Sequence, residues 1–201
     1  MGIWQDWFGA GQTTIWSEIA RELDAHFTEG GFFSNQRLDL ARERYNITLD
    51  TFVRGAEGAN NSYMRMRAPF RNPKHVQFLI YREGFFSALG RLFGMQDITI
   101  GADVFDELFV IQGDPTSFVT SVLAEPRIRW LINRQSKVYL TIKSGNDWYS
   151  ECYPEGIDEL YFESNEASMS PASMKRLFEL FIAIIDQIET LEPSCEFGIN
   201  I

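Results

Sequence analysis

Apolar positions recur along this chain at two spacings, and the changes from one to the other mark out its elements. Beyond Thr13 and Thr14, either of which can cap a helix, Ile15, Trp16, Ile19, Ala20, Leu23 and Phe27 fall three to four residues apart. They predict an amphipathic helix over about 13–27, ended by Gly30-Gly31. Residues 38–41 and 45–53 then alternate at the two-residue period of strands, with Ile47, Leu49 and Thr51 on one face and Thr48, Asp50 and Phe52 on the other. After the turn-forming GAEGANN, the run SYMRMRAPF sets Tyr63, Arg65 and Arg67 on one face of a strand and Met64, Met66 and Ala68 on the opposite one. Pro69 is expected to stop that strand, with residues 76–82 forming the next one and a hairpin through NPKH joining the two.

The second half repeats the alternation between periods. EGFFSALGRLFGMQDI is a Gly-punctuated amphipathic piece expected to pack on the sheet, and residues 98–100 suggest a short strand. Phe109 and Ile111 alternate with Leu108, Val110 and Gln112, after which Gly113 breaks the run and Asp114 can cap a helix beginning at Pro115. The helical stretch over about 115–133 carries Phe118, Val119, Val122, Leu123, Ile128, Trp130, Leu131 and Ile132, with Pro126 predicting a kink or two consecutive helices. Residues 137–143 alternate cleanly, and GND is expected to turn them into an antiparallel hairpin with 148–153. A short strand over 160–163 precedes a last helix from Ser170-Pro171 to Leu191, whose seam is Met174, Leu177, Phe178, Phe181, Ile182, Ile185, Ile188 and Leu191. The expected architecture is α+β: a curved antiparallel sheet of about six to eight strands, with three main helices (about 13–27, 115–133 and 171–191) packed mainly on one face.

Composition narrows the class. A chain of 201 residues with 45% hydrophobic and 23% charged residues suits one domain, with loosely held ends over 1–11 and 193–201. Seventeen Phe, seven Tyr and five Trp predict a core filled by large rings. No apolar run is long enough to span a bilayer, and MGIWQDWFGAGQ has no basic stretch and carries Asp6, so neither a membrane span nor a secretory leader is expected. Cys152 and Cys195 lack zinc-site spacing and read as reduced thiols, which agrees with a cytoplasmic location. His26 and His75 are the only histidines; His26 is read as the positive end of the first helix.

Charge is unevenly placed. Residues 1–101 balance 11 Lys and Arg against 11 Asp and Glu, whereas 102–201 hold 7 against 17 and so supply the whole net charge of −10. An acidic protein repels phosphate at long range, so nucleic acid is not an expected partner and contact with anionic membrane surfaces is disfavoured. The basic exception is the stretch 62–91, with Arg65, Arg67, Arg71, Lys74, Arg82 and Arg91 against Glu83.

Four segments together resemble a family of uncharacterised bacterial proteins: YNITLDTFV; YMRMRAPF with FLIYREGFFSALGRLFGMQDITIG; FDELFVIQGDPTSFVTSVLAEPRIRWLI; and PEGIDELYF before the terminal helix. The likeness covers most of residues 12–190 and implies a single soluble α+β domain, with no activity and no catalytic residue attached.

Candidate chemistry is sparse. Arg65, Arg67 and Arg82 are the candidate ligand-binding residues, since guanidinium forks on one sheet face suit a carboxylate or phosphate; the competing expectation is that they pair with Asp50, Glu43 or other carboxylates. Asp103, Asp106, Glu107, Asp158 and Glu159 invite a metal or acid–base reading but lack EF-hand spacing, and the glycines fit no phosphate loop, so no metal or cofactor is expected. The aromatic amino terminus (Ile3, Trp4, Trp7, Phe8) and GFFSALGRLFGM suit core packing or a dimer contact. The expected function is interaction, with another protein or with a second copy, without catalysis. The alternative is a small-molecule or enzymatic pocket between sheet and terminal helix, where Arg65, Arg67 and Arg82 meet an anionic ligand.

Overall fold

A computed structural model describes residues 3–30, 35–56, 59–82, 96–144, 153–165 and 169–191, with side chains described from Thr13 onward apart from 55, 56, 59, 60 and 96. One open antiparallel sheet runs through it in the order β1-β2-β3-β4-β9-β8-β5-β7-β6. The strands are β1 (His26–Thr28), β2 (Arg37–Ala41), β3 (Asn46–Ala56), β4 (Ala59–Arg71), β5 (Gln77–Arg82), β6 (Gln96–Asp97), β7 (Phe109–Asp114), β8 (Tyr139–Lys143) and β9 (Ile157–Ser164). The helices are α1 (Ile3–Leu23), α2 (Asp103–Leu108), α3 (Thr116–Leu123), α4 (Pro126–Asn133) and α5 (Pro171–Leu191). The α+β class, the antiparallel sheet and its helical cover are as the patterning predicts, with β6 only two residues long and, among the described residues, five helices where three main ones are expected.

Alternation explains the sheet's two faces. Leu38, Leu49, Met66, Phe162, Leu140, Ile80 and Ile111 are directly paired neighbours across seven strands, and all are at most 2% exposed. This row is the floor of the core. Onto it α5 lays Met174, Leu177, Phe178, Leu180, Phe181, Ile184, Ile185 and Ile188. That stripe is wider than the predicted seam: Leu180 and Ile184 are buried while Ile182 is only partly so, because α5 meets α1, α3 and α4 as well as the sheet. Displacing the row by one residue gives a second file across all nine strands: His26, Asp39, Thr48, Arg67, Tyr161, Thr141, Leu79, Gln112 and Asp97. A shift of one exchanges faces, so this file lies opposite the helices.

Strand order departs from the expected hairpin. β4 and β5 are not neighbours, because β9 and β8 lie between them and join the β1–β4 block to the β5-β7-β6 block. Nor does Pro69 stop β4, which runs on to Arg71; the last β4 partner of β3 is Arg67, so Pro69 stands where that side is unpaired and its missing N–H costs no ladder bond. The turn after β4 is tied to β9 through Asn72, fully buried, whose Nδ2 donates to Asp158 Oδ2 at 2.6 Å and to the Val76 carbonyl at 2.9 Å, while its Oδ1 accepts from the Val76 N–H at 3.0 Å.

Local readings need further correction. Helix α1 begins at Ile3, and the Thr13 hydroxyl, instead of capping, accepts from Gln36 Nε2 at 3.1 Å. The helix ends at Leu23, so His26 opens β1 and is not its cationic end. Residues 98–100 are not a strand: the Asp106 carboxylate accepts from the N–H groups of Ile100 and Ala102 and draws the chain from the sheet edge into α2. Asp114 does not cap; it pairs with Gln77 inside β7, and α3 starts after Pro115 without a side-chain cap. Gly113 sits within the ladder, where an added Cβ would lie 2.8 Å from both the Gln77 carbonyl and Val119 Cγ2. Pro126 does split the helical stretch, with Glu125 accepting from the Arg127 N–H as the cap of α4.

The expected hairpin to 148–153 falls largely on 145–152, and the GFFSALGRLFGM piece, the tail after Pro193, Cys152 and Cys195 also lie outside the described residues, as do the side chains of Trp4 and Trp7. No helix among the described residues is long and apolar enough to cross a membrane.

Candidate functional site

The face opposite the helices collects the chain's polar chemistry because β3, β4 and β9 alternate polar against apolar residues. Asp50 accepts from Arg65 Nε at 2.6 Å and Nη2 at 3.1 Å, and from Arg67 Nη2 at 3.1 Å. One strand over, Glu163 accepts a two-pronged bond from Arg54 at 2.9 and 3.0 Å and a third from the Tyr161 hydroxyl at 2.6 Å. At the far end of the face, Asp39 accepts from Arg37 and from the Thr48 hydroxyl.

Aromatic rings tighten the cluster. Phe52 and Tyr63 stack at 5.4 Å; Arg54 lies over both, and Arg65 lies 4.9 Å above Phe52. Lys143 Nζ stands 3.1 Å from the centre of the Tyr161 ring, against which Tyr139 packs edge-on. Burial pushes the Tyr161 phenol well above the usual tyrosine range, and its hydrogen bond to Glu163 adds to the shift. Both effects favour the protonated phenol. For Arg65, burial opposes the charge, but the hydrogen bonds to Asp50 and the attraction of its charge together outweigh it and raise the group. Burial likewise opposes ionisation of Asp39, and the bonds from Arg37 and Thr48 overcome it, holding this carboxyl below its usual range. Asp50 and Glu163 have both oxygens engaged, so the face is cross-linked through them.

Of the predicted ligand-binding residues, Arg65 and Arg67 come together and Arg82 does not join them. Arg82 shares the parity of Phe78 and Ile80, on the helix-covered side, and β9 and β8 separate its strand from β4, about 14 Å of sheet at the usual strand spacing. Its guanidinium lies 4.7 Å over Phe109 and reaches the carbonyls of Asn133 and Gln135 at 3.5 Å, a cation at the negative end of α4. The candidate carboxylates also disperse: Asp106 holds the loop before α2, Asp158 holds Asn72, and Glu159 accepts from the Tyr153 hydroxyl at 2.8 Å. Among the described residues no three His, Cys, Asp or Glu stand together as a metal-ligand set.

Two concavities are lined by described residues. One, of about 320 Å3, lies between the β2–β3 turn and α5 and sets Arg42 and Arg44 against Glu43, Asp186 and Glu189; Arg44 pairs with Glu189 at 2.9 Å, and the Tyr45 hydroxyl donates to Asp186 at 3.4 Å. The other, about 450 Å3, is a groove between α2 and α4. Phe105 and Leu108 form its inner side, because their three-residue spacing puts them on the face of α2 turned to the core; Val104 and Trp130 flank its mouth at 70% and 49% exposure. Sequence reasoning placed Trp130 among apolar helix positions without separating faces. The helical period itself carried the signal: Ile128, Leu131 and Ile132 define the buried stripe of α4, and Trp130 lies about 200° round from Ile128.

In comparisons with protein-family models, with curated proteins and with solved structures, nothing matches this chain.

Proposed function

We propose that the protein is an interaction domain without chemistry of its own, and that its docking surface is the α2–α4 groove, which takes an apolar anchor side chain from another protein surface. The observation that carries this reading is the pairing of Val104 and Trp130: of three large apolar side chains more than one-third exposed among the described residues, two border the same groove. A half-exposed Trp beside a concave apolar floor is the usual composition of a binding hot spot. Helix α2 packs on β7 and α4 on α5, which seats both sides of the groove on the core.

The rival reading, an anionic small molecule met by Arg65, Arg67 and Arg82, draws less support. The first two already share Asp50, and Arg82 lies on the other side of the sheet.

Selection of a displayed random-peptide library on the immobilised full chain tests the proposal. Peptides with an aromatic or branched aliphatic anchor should be enriched, and should lose at least about tenfold in affinity for Trp130→Glu, a change that leaves the buried stripe of α4 intact. Peptides indifferent to Trp130, or none at all, would sink it, provided circular dichroism shows both proteins folded.

A further inference from the structure

We infer that the occupant of this groove is a second copy of the chain, docked about a two-fold axis; the inference rests on the docking role proposed above and supplies its partner. Charge around the groove carries it. Of the charged residues lining the groove, α2 supplies Asp103 and α4 supplies Arg129; α2 also carries Asp106 and Glu107 and no basic residue, while α4 and its C-cap also carry Arg127 and Arg134, with one acid at the N-cap, Glu125. Val104 and Trp130 flank the mouth, one on each helix. The groove thus has an acid on its α2 side, a base on its α4 side and an apolar floor of Phe105 and Leu108.

A two-fold contact is self-complementary: whatever one copy presents at a point, the other presents across the axis. With the two-fold axis running along the groove, the α2 side of each copy faces the α4 side of its partner, twice over, with the two Val104–Trp130 pairs meeting at the centre. A patch of a single sign would repel itself. This one carries opposite signs on its two sides, on a protein of net charge −10, so it is a place where two such molecules can touch without bringing like charges together.

The groups at the rim are available for this. Asp103, Glu107, Arg127 and Arg134 are all exposed. Arg134 lies 5.3 Å over the ring of Trp130, which places one basic charge beside the apolar centre. Arg127 makes only a long, solvent-exposed contact with Glu179 at 3.7 Å, which a closer carboxylate can displace. Arg129 is held more firmly, donating to the carbonyls of Leu123 and Ala124 at the end of α3, and contributes fixed positive charge to that wall.

Sedimentation velocity on the full chain provides the test, from about 5 µM to about 500 µM, since a contact centred on one groove falls in the small, weak class of interfaces. The wild type should pass from monomer to dimer within that range. Reversing one wall (Asp103→Arg with Glu107→Arg) or the other (Arg127→Glu with Arg134→Glu) should weaken self-association at least about 30-fold. An equimolar mixture of the two variants should recover the dimer, because reversed α2 then meets reversed α4 at one contact and the two unchanged walls meet at the other. A wild type that stays monomeric, a dimer indifferent to both reversals, or a mixture that fails to recover would each overturn the inference. A monomeric wild type that still binds Trp130-dependent peptides removes the second copy while leaving the docking surface, whereas loss of both removes the surface itself.

Discussion

Replacing Asp50 by Asn tests whether the polar face is an internal brace or an open anion site. The carboxylate accepts three hydrogen bonds from two guanidinium groups, with side-chain exposures of 10% for Asp50, 30% for Arg65 and 14% for Arg67. An amide keeps one acceptor oxygen and turns an NH2 toward the arginines, so about two charge-assisted bonds are lost at about 1.5–3 kcal/mol each, less whatever water restores. Exposed ion pairs are worth under about 1 kcal/mol, whereas removing one partner of a fully buried pair costs about 3–5. The partial burial here puts the expected loss near 3 kcal/mol, a melting-temperature drop of about 6–12 °C for a chain of this length. Calorimetry at neutral pH reads it directly. Adding Arg65→Gln to Asp50→Asn should cost less than the sum of the two single changes, since the partners share one network. A drop below about 2 °C would refute the reasoning and mark these arginines as weakly held, as a ligand site requires.

Gly113→Ala forces a methyl to within 2.8 Å of the Gln77 carbonyl and Val119 Cγ2; the expected loss is about 1–3 kcal/mol by urea denaturation, and an unchanged midpoint would show that α3 does not press on β7 as closely as described. Burial, and then the charge of Asp186, push the Tyr45 phenol up to about 12, whereas in the unfolded chain it titrates near 10. The folded state therefore holds this proton longer, so its contribution is complete below about pH 10 and is lost as pH climbs toward 12. Denaturation of wild type and Tyr45→Phe between pH 8 and 11.5 should show a shallower alkaline fall for the variant, and parallel curves would contradict the assignment.

Periodicity made much of this architecture legible before any coordinates. The α5 stripe, the two faces of β3 and β4 and the split at Pro126 all follow from local spacing, and the packing obeys it. Strand order was hidden because alternation says which face a residue takes and not which strand lies alongside; β9 and β8 enter between β4 and β5 from more than 50 residues away. The same gap misplaced Arg82, whose parity with Phe78 and Ile80 was readable but whose distance from Arg65 was not. Asp114 misled because an Asp before a Pro suits a cap, yet its pairing with Gln77 keeps it in the ladder. Helix α2 is one short run without a side-chain cap, too brief to show a period, so its wall of the groove could not be read from the sequence. Asn72 and Asp158, 86 positions apart, gave no signal that they form one buried bond.

Side-chain footprinting of Trp130 during association tests the central claim most directly. Oxidation of this indole, 49% exposed in the single chain, should fall at least about threefold as the protein is concentrated through its dimer range or saturated with a selected peptide, with labelling of Val104 falling alongside it. Labelling of Val53, 55% exposed on β3, should not change. Constant labelling at Trp130 while association proceeds, or equal protection at Val53, would place the contact elsewhere and contradict the assignment of the α2–α4 groove.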